Sequence, residues 1–98
     1  MIDYFDYNLI EDTEGIAYLH ASFEVIEYFE SMLNYSILSD YINVFRNSKF
    51  CIKLKYDVDS IITTDIIESY LKIIIDRYKK LNEDYKQEYN NKEDLIHV

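Results

Sequence analysis

The sequence predicts a helix-rich α+β fold. A short antiparallel sheet of two or three strands is expected to pack with one mid-length helix, one short helix and a long C-terminal amphipathic helix, as one domain over 1–98. Three observations predict this. The 98 residues include one glycine and no proline, too few chain-reversing residues for the many turns of a sandwich or barrel. Apolar residues recur at helical spacing along two long segments. One segment, FCIKLKYD, alternates strictly and needs a partner, because a lone strand is not stable in water.

In residues 3–10, DYFDYNLI, Phe5, Tyr7 and Leu9 fall on one side and Asp6 and Asn8 on the other, as in a strand. EDTEG then breaks the pattern. Residues 16–34 read as one amphipathic helix with Thr13 as N-cap. Ile16, Leu19, Phe23, Ile26, Phe29 and Leu33 share a broad face, and His20, Glu24, Glu27, Ser31 and Asn34 a narrow opposite strip. LHASFEV also alternates, so a strand competes there, but the helical period holds over the longer span.

SDYINVFRNS reads as a short helix capped by Ser39, with Ile42 and Phe45 inward, and NSK as a turn. In the strand that follows, Phe50, Ile52, Leu54 and Tyr56 face one way, and Cys51, Lys53, Lys55 and Asp57 the other. Its expected partner is the strand at 3–10. A long helix starts near Thr63 or Thr64 and runs to about Tyr89. Ile67, Leu71, Ile74, Tyr78, Leu81 and Tyr85 form a heptad stripe, which Ile66, Ile73 and Ile75 widen early on. Its second half keeps a narrow seam of Tyr78, Leu81, Tyr85 and Tyr89, suited to a second copy of the chain or to a target. Residues 90–98 are expected to form a loose tail. No internal repeat, linker or low-complexity block is visible.

Composition narrows the function classes. Eleven tyrosines and 49% hydrophobic residues exclude a disordered acidic tail. Cys51 is the single cysteine, so no internal disulfide forms and a reducing bacterial cytoplasm is the expected setting. The acidic start lacks the apolar run of a secretory signal. No run of about 18 apolar residues is present to span a membrane. The wealth of Ile, Asn, Tyr, Lys and Asp suits an AT-rich genome, such as that of a low-GC bacterium, a phage or a virus.

The charge is unevenly placed. Residues 1–45 carry nine carboxylates and no lysine or arginine, whereas residues 46–98 carry ten acids and ten bases, so the net −9 sits wholly in the first half. Such a block repels nucleic acids and anionic membranes and attracts basic surfaces. Six tyrosines (4, 7, 18, 28, 35 and 41) are interleaved with these acids. Tyrosine supplies contact area, and carboxylates steer association and pair with arginine. The predicted partner-binding residues are Asp3, Asp6, Tyr7, Glu11, Asp12, Glu14, Glu24, Glu27, Tyr28 and Glu30.

Other constellations argue less for chemistry. His20, Glu24 and Glu27 would share a helical face, but a closed metal site needs ligands from a second element. Asp57 and Asp59 could hold Mg²⁺ at a strand end, yet no glycine-rich phosphate loop accompanies them. Cys51 has Lys53 and Lys55 on its face and only His20 or His97 as a base. No catalytic residue, metal or cofactor is therefore expected.

The expected function is that of a binding protein which blocks the basic, nucleic-acid-binding surface of a defence nuclease complex. In its acidic, tyrosine-rich character the chain resembles phage-encoded inhibitors of host defence, the anti-CRISPR and anti-restriction proteins that imitate DNA. The resemblance is one of composition and covers no motif. An immunity protein or antitoxin that caps a basic nuclease toxin would share this surface physics. A dimeric adaptor with a solubilising acidic face is the reading from another class.

Overall fold

The computed structural model describes the backbone of residues 4–96 and the side chains of residues 4–83. Among the described residues, four strands and two helices follow one another as β1 (Tyr7–Thr13), β2 (Ile16–Ala21), α1 (Phe23–Asn34), β3 (Ile42–Ser48), β4 (Cys51–Tyr56) and α2 (Thr64–Ile96), with a 3-10 turn at Ile37–Asp40. The strands form one antiparallel sheet in the order β1-β2-β4-β3. The α+β class stands. The two- or three-stranded sheet with three helices does not, because two segments read as helical are strands.

The first correction concerns residues 16–34. Ile16–Ala21 is β2, and the helix begins only at Phe23. Ala17 and Leu19 are fully buried while His20 is exposed, so the alternation across LHASFEV is the signal that holds. Ser22, not Thr13, caps α1. Its extended backbone (φ −62°, ψ 159°) turns the chain from strand to helix, and its hydroxyl donates to the Tyr4 carbonyl at 3.1 Å.

The second correction concerns residues 39–48. Ile42–Ser48 is β3, with Ile42 buried but Phe45 50% exposed on the opposite face. β-branched and aromatic residues in INVF suit a pleated surface better than a helix. The third concerns pairing. β4 does not meet residues 3–10; it lies between β2 and β3, while β1 pairs with β2. Phe5, Tyr7 and Leu9 nevertheless pack against the core.

Both helices cover one face of the sheet. Leu19, Ile52 and Leu54 rise from the strands to meet Val25, Ile26, Phe29 and Leu33 of α1 and Ile67, Leu71, Ile74 and Ile75 of α2. Fully burying one such side chain contributes about 1.5–3 kcal/mol, so this cluster dominates the stability. Ile66 and Ile73 are 41% and 58% exposed and do not widen the buried face of α2. α2 continues to Ile96, past the end near Tyr89 that periodicity predicts. At about 1.5 Å per residue it is roughly 50 Å long, and the molecule extends 61 Å in its longest dimension.

The topology also contains a repeat that the sequence hides. Hairpin β1–β2 followed by α1 is matched by hairpin β3–β4 followed by α2, across a pseudo-twofold axis normal to the sheet between β2 and β4. The strands correspond at a constant offset: Tyr7 with Ile42, Asn8 with Asn43, Ile16 with Cys51, Ala21 with Tyr56. Each hairpin carries an extra residue in its first strand just before the turn, Asp12 in one and Asn47 in the other. Charge does not follow the repeat. Glu11, Glu14 and Tyr18 of the first hairpin correspond to Arg46, Lys49 and Lys53 of the second. One frame thus carries an acidic version and a basic version of the same hairpin, with their turns at opposite ends of the sheet.

Candidate protein-binding surface

Glycine fixes the acidic turn. Gly15 has φ +86°, a left-handed conformation that costs an L-residue about 1–2 kcal/mol. Its carbonyl accepts the Tyr56 N–H at 2.9 Å, which ties the β1–β2 turn to the end of β4. The chain segments on either side converge here. Glu11, Glu14 and Asp65 line a shallow cleft with Thr63 and Thr64, and Asp40, Asp57 and Lys55 line a second beside it. Asp12 and Asp59 flank them in sequence. One end of the molecule therefore gathers Glu11, Asp12, Glu14, Asp40, Asp57, Asp59 and Asp65, and among the described residues Lys55 is the single cation lining either cleft.

Hydrogen bonds hold this end in shape. The Glu11 carboxylate accepts from Tyr56 Oη at 3.3 Å and from Thr64 Oγ1 at 3.2 Å, and these two hydroxyls lie 2.6 Å apart. Glu11 thus joins β1 to the start of α2. Asp57 Oδ1 accepts the Asp59 N–H at 2.9 Å, and the Ser60 hydroxyl donates to the Asp57 carbonyl at 2.6 Å. Asp57 builds a turn, and Asp59 is left exposed. Among the described residues no group of three His, Cys, Asp or Glu side chains is placed to hold a metal ion.

The other predicted binding residues fall elsewhere. On α1, Glu30 forms a two-pronged pair with Arg46 (Nε–Oε2 3.2 Å, Nη2–Oε1 3.1 Å), and Glu27 lies 3.9 Å from the same guanidinium. The first basic residue of the sequence thus returns to offset part of the charge of α1, at Glu30 and Glu27. Glu24 accepts a hydrogen bond from Tyr4. The half-buried Tyr7 donates to Glu68 at 3.0 Å and packs edge-on against Phe29 at 5.4 Å. Burial first, then that hydrogen bond, then the nearby Glu68 and Asp76 charges push its pKa well above the usual tyrosine value. Tyr28 stacks on Tyr78 at 4.4 Å. Asp6 is exposed, and Asp3 lies outside the described residues. His20 is on β2 and does not share a helix face with Glu24 and Glu27.

The long-helix seam is divided. Tyr78 is half-buried and packs on this chain's own Tyr28 and, at 5.7 Å, Phe5. Leu81 is 55% exposed. The side chains of Tyr85 and Tyr89 lie outside the described residues.

Sequence reasoning missed Asp40, Asp57, Asp59 and Asp65 as members of the acidic end. The signal lay in the alternation of residues 16–21, since a strand there places the turn at 14–15 beside the end of β4. The structure also brings Cys51 Sγ to 3.8 Å from His20 Nε2, with Asn47 Nδ2 donating to the sulfur at 3.6 Å. Cys51 is only 3% exposed, and β4 is an inner strand whose N–H groups serve ladders on both sides.

No helix among the described residues is long and apolar enough to cross a membrane. Compared with protein-family models, curated proteins and solved structures, the chain matches none.

Proposed function

We propose that this protein is a small acidic inhibitor that binds through its carboxylate-rich end. That end would occupy the basic, nucleic-acid-binding surface of a partner protein, of the kind found on defence nucleases. One observation carries the reading. The fold collects carboxylates from four separate chain segments at one end, whereas on α1 it pairs Glu30, and more loosely Glu27, with Arg46. A merely solubilising surface mixes both signs, whereas the clefts at this end are lined by Glu11, Glu14, Asp40, Asp57 and Asp65 against the one lysine Lys55. Two hydroxyls fix Glu11, so part of the acidic array is ordered before any partner arrives.

The test is capture from a low-GC bacterial lysate by the wild-type protein and by an Asp12→Lys/Glu14→Lys variant, followed by a DNA-binding assay on the retained protein. The expected result is a basic nucleic-acid-binding protein that high salt releases, that the variant fails to retain, and whose DNA binding the wild type blocks. Placing lysine against a basic groove costs up to several kcal/mol. An Asp76→Lys/Glu83→Lys control, which reverses two exposed acids of α2, should retain the partner. Equal capture by both variants, or undisturbed DNA binding, would refute the proposal.

A further inference from the structure

The helices cover one face of the sheet, and the other face is open. Register assigns the positions on that open face, because they alternate with buried Ala17, Leu19, Ile52 and Leu54. One row crosses all four strands as Ile10, Tyr18, Lys53 and Phe45. Tyr18 and Lys53 are half-buried, while Ile10 and Phe45 are 47% and 50% exposed. Lys55 lies in the next row, and Asn8 and Asn43 occupy equivalent outer positions related by the pseudo-twofold. None of the paired positions on this face is Asp or Glu, in a chain with 19 acids. Carboxylates are kept off the paired positions of this face, and Asp40 and Asp57 reach only its border, beside Lys55 and Asn43.

We infer that the open sheet face, with the rings of Tyr18 and Phe45 on either side of Lys53, is a binding platform for a single strand of nucleic acid. The two rings stand on strands β2 and β3 with β4 between them, about 10 Å apart at the usual strand spacing. Flat aromatic rings accept bases of any sequence by stacking, and neighbouring lysines pair with the phosphates. Amide side chains such as those of Asn8 and Asn43 can donate to and accept from base edges. A second copy of the chain fits this face poorly, since twofold packing about the central row would bring the Lys53 ammonium groups of both copies together with no Asp or Glu at a paired position beside them. The net charge of −9 weakens such binding without forbidding it. The acidic turn is three or four residues along the strand from Lys53, roughly 10–14 Å, beyond the screening length of about 8 Å at physiological salt; Lys55 lies nearer, beside Asp40 and Asp57, so Lys53 is the principal phosphate partner.

This inference is independent of the acidic-end proposal, and its test separates the two. Fluorescence anisotropy of labelled oligothymidine and oligouridine is measured against the full chain at several salt concentrations. Saturable binding is expected, and Lys53→Gln or Lys55→Gln should each flatten the log–log salt slope by about 0.7. Tyr18→Leu and Phe45→Leu keep an apolar side chain but remove the ring, and each should weaken binding about five- to a hundredfold. Melting curves matching the wild type would exclude misfolding. The Asp12→Lys/Glu14→Lys variant should bind the oligonucleotides at least as well as the wild type, although it loses the basic partner. No binding at low salt overturns the inference. So do leucine variants that bind normally, equal competition by polyglutamate, which would mark a general anion site, and a two-copy light-scattering mass that Phe45→Asp returns to one copy, which would mark this face as an interface between copies.

Discussion

Gly15→Ala tests how the acidic end is held. At φ +86° a β-carbon would sit 2.7 Å from the Tyr56 carbonyl oxygen and 3.1 Å from a Val58 methyl. The first contact is with backbone, which cannot swing aside as a flexible side chain can. The left-handed conformation costs alanine about 1–2 kcal/mol. Relieving the clash means lengthening the Tyr56 N–H to Gly15 carbonyl bond, a net loss of about 0.5–1.5 kcal/mol. Together these predict about 1.5–3.5 kcal/mol of destabilisation, a large share of a typical domain stability of about 5–15 kcal/mol. At about 4–8 °C per kcal/mol the melting temperature should fall by roughly 6–28 °C. Urea unfolding followed by circular dichroism measures the change, and Glu14→Ala, at the neighbouring exposed position, should stay within about 0.5 kcal/mol. A Gly15→Ala protein as stable as the Glu14→Ala control would refute the claim that this turn is locked to β4.

Three further outcomes follow from the packing. Tyr78→Ser should lower stability by about 1–3 kcal/mol because its ring packs on Tyr28 and Phe5, whereas Leu81→Ser, on an exposed position, should leave the unfolding midpoint unchanged. A double-mutant cycle on Glu30→Gln and Arg46→Gln should give at most about 1 kcal/mol of coupling, the range of solvent-accessible pairs. Tyr7 has a raised pKa in the folded state, so its contribution is complete below the ordinary tyrosine pKa of about 10 and declines as pH rises beyond it. Stability measured by urea unfolding should therefore drop less steeply above that pH in Tyr7→Phe than in the wild type.

The elements that were legible in the sequence each present one period and one solvent face. β4 alternates buried Ile52 and Leu54 with Lys53 and Lys55, and α2 keeps Ile67, Leu71 and Ile74 at helical spacing. β2 was lost because α1 follows after a single residue, Ser22. Leu19 and Ile26 therefore fit a helical stripe that runs through the junction. β3 was lost because its outward Phe45 mimics a second inward helical position after Ile42. The charge imbalance was legible as a count but not as a place. Nothing local in Asp57 or Asp65 says that these residues finish beside Glu14; pairing of β4 with β2 does that. Nor could the count reveal that Arg46 would reach back over Glu30, or that the strands keep carboxylates off the paired positions of one face.

The pseudo-twofold has a consequence for how the chain can be divided. Each hairpin-and-helix half supplies one inner strand and one edge strand, so either half alone would leave an inner strand unpaired and half a core bare. Neither fragment should be stable by itself. The junction between the halves is short and carries the exposed residues Tyr35, Ile37 and Tyr41, and β2 and β4 pair across it without needing the link. A cut within this link is therefore expected to give two pieces that reassemble when mixed, each acting as the template on which the other folds. Linking a reporter half to each piece would convert the β2–β4 seam into a switchable joint, with acidic and basic hairpins brought together only on assembly.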